Sequence, residues 1–237
     1  MQASRPYAIR IAGMLATFVV AAGLMTSPAR AGLDEAKGAL AHGDWSTALR
    51  ELKPLAEAGN AEAQYQLGSM YGRGVGVPVN YATARSWFQK AAAQEWPEAE
   101  LALGDLYIHG QGVTKDPLAA IDWYRKAAQH GNAEAMNDLG EMASSGDGLP
   151  ADPILAFGWY MAAASKGLPE AQYNLGRVYA RGEGVPVDMK AAYMWFRLAA
   201  NRGNEDALQA LQAVTPTLTK EVIAEAEAAA QNWQPQP

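Results

Sequence analysis

The sequence predicts an all-α solenoid of stacked antiparallel helix hairpins, and two observations carry that reading. Four tryptophans, Trp87, Trp123, Trp159 and Trp195, stand 36 residues apart. Three further columns keep the same interval: Ala63, Ala99, Ala135 and Ala171; Leu67, Leu103, Leu139 and Leu175; Gly68, Gly104, Gly140 and Gly176. Self-similarity at a period of about 20–50 residues marks repeats that cannot bury their apolar faces alone and must stack.

Residues 1–31 lie outside the repeat. Arg5 and Arg10 give a positive start, Ile11 to Met25 is an uncharged apolar run, and Ala29-Arg30-Ala31 has the small-x-small pattern of a signal-peptidase site. The run is shorter than the roughly 20 residues a membrane helix needs, so a cleaved leader is expected, with an uncleaved anchor as the rival reading. Residues 32–60 are expected to form an N-terminal capping hairpin, Leu33–His42 and Trp45–Ala58, with Pro54 kinking its second helix through the lost bond to Arg50.

Residues 61–203 then hold four 36-residue units. The first helix of unit one is placed near Ala61–Gly72, because Ala63, Leu67 and Tyr71 share one helical face. Gly68 falls mid-helix, where glycine costs about 1 kcal/mol relative to alanine. Its recurrence implies close approach of a neighbouring helix, with Trp87 expected over it. The loop Gly74-Val75-Gly76-Val77-Pro78 has counterparts in Gly110-Gln111-Gly112-Val113, Gly146-Asp147-Gly148-Leu149-Pro150 and Gly182-Glu183-Gly184-Val185-Pro186. Their paired glycines permit positive φ and end the helix. Asn80, Asp116, Asp152 and Asp188 follow where an N-cap is wanted. The second helix carries Ala84, Trp87, Phe88 and Ala91 as an amphipathic stripe. Gly131-Asn132, Gly167-Leu168-Pro169 and Gly203-Asn204 close units with a C′ glycine and an Asn cap or N1 proline, whereas Glu95-Trp96-Pro97 lacks the glycine. Residues 204–237 are expected to be a C-terminal capping pair, Asn204–Val214 with Leu218–Trp233, and a frayed tail.

The chain has no cysteine, which removes disulfides, thiol nucleophiles and thiolate metal sites. Loss of Arg5, Arg10 and Arg30 with the leader leaves 16 Lys and Arg against 25 Asp and Glu, a net charge of −9. That balance disfavours nucleic acid and anionic lipid, which demand clustered Lys and Arg.

The pattern Ala-x-x-x-Leu-Gly-x-x-Tyr, Gly-x-Gly-Val, Asp, and Ala-x-x-Trp-Tyr/Phe-x-x-Ala-Ala-x-x-Gly resembles the Sel-one-like repeat (SLR) family, relatives of the tetratricopeptide repeat. It covers Ala63 to Gly203 as four units. Unit three departs, with Ala143 where the others have Tyr71, Tyr107 and Tyr179, and Leu149 in place of Val; a local gap or an altered stacking angle is expected there. The resemblance implies a right-handed superhelix and a non-enzymatic adaptor or scaffold, in an exported bacterial member a periplasmic or secreted one. Exported members of the family include regulators of envelope complexes and host-directed effectors. A disulfide-rich branch is associated with β-lactam binding or hydrolysis, so a peptidoglycan- or β-lactam-acting hydrolase is the alternative, although that branch's cysteines are missing here.

By analogy with tetratricopeptide arrays, the first helices line a concave groove. Its positions are two before the repeat Leu, one after the Gly and five after the Gly. They give Tyr65, Ser69 and Arg73; Leu101, Asp105 and His109; Asn137, Glu141 and Ser145; and Tyr173, Arg177 and Arg181. Arg177 and Arg181 form a basic end and Asp105 and Glu141 an acidic middle. An extended or helical peptide with an acidic end near the two arginines would fit, since Arg is a fork for carboxylates, and Tyr65 and Tyr173 offer the residue type favoured at hot spots.

Other chemistry lacks its signatures. His42, His109 and His130 are far apart and show no metal-ligand spacing, so no metal or other cofactor is expected. His130 suits a helix C-terminus. The glycine loops lack the Gly-Lys-Ser/Thr of a phosphate loop. None of the serines is followed by Lys at the third residue, and Gly-x-Ser-x-Gly is missing. Trp45 and Trp233 are expected to seal the two ends, while Trp96 is a second partner-contact candidate on the rim or a cap residue.

Overall fold

The computed structural model describes residues 28–236, and among these it is helical throughout, without strands. Most of the 1–31 leader expected from sequence lies outside the described residues. Twelve helices follow one another: α1 Pro28–His42, α2 Trp45–Glu57, α3 Ala61–Arg73, α4 Tyr81–Ala92, α5 Pro97–His109, α6 Pro117–Gln129, α7 Ala133–Ser145, α8 Pro153–Ser165, α9 Pro169–Arg181, α10 Met189–Ala200, α11 Glu205–Val214 and α12 Lys220–Asn232. Each odd helix from α1 to α9 packs on the even helix after it, and each pair packs on the next, which is the contact pattern of a solenoid. Among the described residues no helix is long and apolar enough to cross a membrane.

The core is built from the repeating columns. Ala63, Ala99, Ala135 and Ala171 are fully buried, and Leu67, Leu103, Leu139 and Leu175 nearly so. The mid-helix glycines sit at the tightest contact of each pair. The ring over them is the residue after the tryptophan: Phe88 over Gly68, Tyr124 over Gly104, Tyr160 over Gly140 and Phe196 over Gly176. A methyl group at Gly176 would come within 2.6 Å of the Phe196 ring. The expectation of Trp87 over Gly68 is therefore corrected by one residue. Trp87 and Trp123 are half-buried instead, with Lys90 and Lys126 ammonium groups 3.8 and 4.0 Å from their ring centres.

Loops and caps follow the same beat. The first glycine of each loop ends a helix in the left-handed region, as Gly110 does with φ 68°. The second touches the preceding unit: Gly76 lies on Trp45, Gly112 on Tyr81, Gly148 on Pro117 and Gly184 on Pro153, the first residues of α2, α4, α6 and α8. Trp45 thus seats the next unit's loop, while its own side chain is exposed. Asn80, Asp116, Asp152 and Asp188 each accept backbone N–H bonds as N-caps of α4, α6, α8 and α10.

Several local expectations change. α1 starts at Pro28 rather than Leu33, and Gly32 lies against Leu55 of α2. α2 stays one helix through Pro54. Glu95, where the other units have glycine, adopts φ 60°, the one non-glycine residue with positive φ among those described. Trp96 is half-buried against the α4–α5 core and its indole Nε1 is covered, as the cap reading expects. At the C-terminus, α12 packs on α10 rather than forming a hairpin with α11. Small Ala226 and Ala230 allow the approach, and Glu227 bonds Arg197 at 2.6 Å and the Tyr193 hydroxyl at 3.1 Å. Trp233 meets Trp195 edge-on, and the tail docks rather than frays, the Gln236 N–H donating to the Ser165 carbonyl at 2.7 Å.

Two consequences can be measured by urea denaturation. Gly176→Ala should destabilise the fold by about 1–3 kcal/mol through overpacking against Phe196, whereas Gly158→Ala, on open α8 surface, should stabilise it by about 1 kcal/mol. Glu95→Gly should stabilise by roughly 1 kcal/mol, because an L side chain in the left-handed region is relieved.

Candidate functional site

The first helices of the middle units carry three connected hollows, of about 250, 370 and 310 Å³. Asp105 on α5 borders all three. The first is walled by Tyr65, Ser69 and Arg73 of α3 with Leu101 of α5. The second is walled by His109, Glu141 and Ser145, and the third by Leu101 and Asn137. Nine of the twelve groove positions named from sequence therefore come together around α3, α5 and α7. Arg177 and Arg181 line a separate hollow of about 200 Å³ with Ser144 and Pro153. Tyr173 lines none of these; it packs against Phe196 and lies 5.7 Å beneath the Arg177 guanidinium.

The side chains differ in how free they are. Asn137 is buried and engaged within the stack: its amide donates to Glu141 at 3.0 Å and its oxygen accepts from Asn174 at 3.0 Å. It holds α7 to α9 rather than standing open in the groove. Arg177 donates to Asn174 at 3.3 Å, continuing that network, and Arg181 pairs with Glu183 at 3.4 Å, which offsets part of the basic end. His109 is exposed and its Nδ1 is 2.9 Å from the Asp105 carbonyl. Asp105 accepts from the Tyr124 hydroxyl at 2.8 Å; burial raises its pKa, and the hydrogen bond opposes that rise.

Sequence positions alone missed the most perturbed carboxyl group. Asp138, one residue before Leu139, borders the second and third hollows. Burial, reinforced by Asp105, Glu141 and Glu134, pushes its pKa up to about 7. The other units have Gln66, Ala102 and Asn174 there; an acid in an otherwise uncharged column was the available signal. Glu98, Glu134 and Glu170, spaced 36 residues apart in the first turns of α5, α7 and α9, add to the acidic lining. Their first-turn placement suits the helix dipole. The groove is thus strongly acidic along its middle, with Arg73 at one edge.

Asp105, Asp138 and Glu141 gather in one hollow, and the hydroxyl closest to them, that of Tyr124, is held by Asp105. Among the described residues no group of three or more His, Asp or Glu side chains is placed to hold a metal ion. His130 caps α6 and its Nδ1 lies 2.7 Å from the buried Glu100 carboxylate of α5, which raises the imidazole pKa. That pair clamps α5 to α6.

A family model described as Sel1 repeat matches residues 61–95, 97–132, 133–168 and 169–204. Among solved structures, a protective antigen of uropathogenic Escherichia coli displaying an SLR fold is 37% identical, with 67% of this chain and 34% of that chain covered and a TM-score of 0.65. A Sel1 repeat protein from Oxalobacter formigenes is 38% identical over 71% of this chain and 49% of that one, also with a TM-score of 0.65. The chain spans about a third to a half of the length of these two relatives. An immunity protein from Pseudomonas aeruginosa, 22% identical over 86% of this chain and 82% of that chain, has the same fold at a TM-score of 0.55. No functionally curated protein matches the chain.

The acidic groove makes stability depend on pH. A carboxyl whose folded pKa lies above its unfolded value holds its proton in the fold where the unfolded chain has lost it, so stability falls as pH rises between the two values. For Asp138 that window runs from about 4 to about 7. Asp138→Asn should therefore stabilise the protein by about 1–3 kcal/mol at pH 8 and by little at pH 4. Urea denaturation at the two pH values tests this.

Proposed function

The chain belongs to the Sel1 repeat family, whose repeats generally mediate protein–protein interaction, and from that premise we propose that it is a non-enzymatic, exported adaptor that holds a partner protein along its groove. The acidic hollow around Asp105, Asp138 and Glu141 is the observation that carries the reading. A soluble partner segment rich in Lys or Arg suits this middle, and an acidic end beyond it suits Arg177 and Arg181. Tyr65 and Leu101 give apolar contact beside the charges. Such a surface repels nucleic acid and anionic lipid. No cofactor is needed for holding a partner.

Export to the periplasm or beyond is part of the proposal, supported by the charged start, apolar run and Ala29-Arg30-Ala31 site. Removal after Ala31 would leave α1 as Gly32–His42. In that compartment the protein would scaffold or regulate an envelope complex.

Affinity capture from an envelope extract of the native host tests the reading with three baits: the chain itself, an Asp105→Asn/Asp138→Asn/Glu141→Gln variant, and an Arg177→Glu/Arg181→Glu/Tyr173→Ala variant, each shown folded by circular dichroism. The partner should be retained by the first bait and weakened at least about tenfold by either variant, as expected when charge partners at an interface are removed. Binding should fall with added salt and tighten as pH rises from 6 to 8, where Asp138 ionises. A partner held equally by all three baits places the interface elsewhere. Capture of nothing, with turnover of a β-lactam or peptidoglycan substrate by the purified protein, replaces the adaptor with a hydrolase.

A further inference from the structure

Unit three holds a further hollow, set between α7 and the second helices α6 and α8. Ala143 stands in the column of Tyr71, Tyr107 and Tyr179, whose rings are half-buried against the core. The backbone has not closed over the missing ring. The Asp152 N–H donates to the Ala143 carbonyl at 2.8 Å, as its counterparts do to Tyr71, Tyr107 and Tyr179 at 2.9, 2.9 and 3.0 Å. α7 has the same length as α3, α5 and α9, thirteen residues, and like them ends on a left-handed glycine. A ring has therefore been deleted from a preserved frame.

What remains is an open hollow of about 230 Å³ between α6, α7 and α8, walled by Ile121, Leu139, Met142, Leu149 and Trp159. It exceeds the engineered apolar cavity of about 150 Å³ that admits benzene. Leu149, which replaces a valine, does not plug it and is 40% exposed. Leu155 lines the hollow and Ile154 precedes it, at 42% and 71% exposure. The matching pairs in the flanking repeats, Leu118-Ala119 and Lys190-Ala191, carry less apolar bulk. Apolar exposure gathered on one hollow marks an interaction site, where single exposed residues would not. Arg125 stands on the rim, exposed, with Asp122 3.9 Å away. Asp152, also on the rim, already accepts the N–H groups of Ile154 and Leu155.

We propose that this hollow receives an aromatic side chain of a partner protein, with a neighbouring carboxylate of that partner reaching Arg125. The three sister units show the occupant that this frame accepts, a phenol ring. Here the chain does not supply the ring, and the apolar rim and the free face of Arg125 define what arrives with it. The acidic groove takes no part, so the two sites stand or fall separately.

The test follows the Trp159 indole N–H by NMR, assigned with Trp159→Phe, during titration with p-cresol and with 3-(4-hydroxyphenyl)propionate. Both probes should give saturable shifts in the chain, and the carboxylate-bearing probe should bind at least threefold tighter. Ala143→Tyr should raise Tm by about 3 °C or more by filling the hollow and abolish both titrations. Ala143→Tyr/Leu149→Val, which restores the pattern of the other units, serves if the single variant folds poorly. Arg125→Gln should remove the advantage of the carboxylate probe and leave p-cresol unchanged. The absence of a saturable shift, or equal binding to the filled variants, overturns the site. An unchanged advantage in Arg125→Gln overturns the carboxylate contact. A dimer in sedimentation velocity that Ala143→Tyr dissolves would make the occupant a second copy and overturn the partner assignment.

Discussion

The stack depends on one contact, repeated four times: a glycine in the first helix of a unit against an aromatic ring in the second. Gly68, Gly104, Gly140 and Gly176 give up side chains so that Phe88, Tyr124, Tyr160 and Phe196 can lie flush on the helix backbone. The closeness of each pair fixes where its loop emerges, and the second loop glycine then rests on the start of the previous second helix. Pair geometry and unit-to-unit geometry are thus linked through bare glycine backbone, on which an aromatic ring or the first residue of a helix rests directly. Interiors are packed densely enough that one added methyl is felt, so these positions tolerate little variation while neighbouring ones are free to change.

That freedom is visible on the groove face. Tyr65, Leu101, Asn137 and Tyr173 occupy one column, which thus holds three residue types where the packing columns hold one. Two polar networks also show that a groove position need not be a binding position. Asn137 ties α7 to α9, and Tyr124, which packs on Gly104, holds Asp105 with its hydroxyl. The Tyr124 phenol is itself shifted upward, by burial first and then by Asp105. The acidic middle is therefore partly anchored in the packing layer beneath it. A rigidly held carboxylate loses less freedom on meeting a cation than a mobile one does.

Much of the fold was legible because its period is: helix count, loop glycines and Asn or Asp caps all follow from columns of identical residues. Where the sequence reading failed, the period was silent or ambiguous. Trp87 and Phe88 are adjacent large residues on one helix, and a 36-residue recurrence cannot say which of them turns inward. α12 has no counterpart in the repeat, so its seat on α10 depended on Ala226, Ala230 and the Glu227 contacts, which only three-dimensional proximity reveals. Trp96 could be read as a rim contact or as a cap, and only its packing against the α4–α5 core favours the second. Asp138 escaped because groove positions were counted from Leu139 and Gly140 on one helix, whereas the hollow is made by three. The gap at Ala143 was legible for the opposite reason: one missing ring in a column of tyrosines is a statement about volume.

The docked tail sets this array apart from an ideal solenoid. Each unit of such a stack touches only its neighbours, so units can be added or removed at an end without disturbing the rest. Here α12 lies on α10, and Gln236 reaches back to Ser165 at the end of α8, joining elements that are not adjacent in the stack. A duplication appended after Gly203 would have to displace that clasp, whereas one inserted between α3 and α8 would meet only standard unit faces. The middle units are therefore interchangeable in their contacts, whereas α8 and α10 carry a second load that the repeat pattern does not encode.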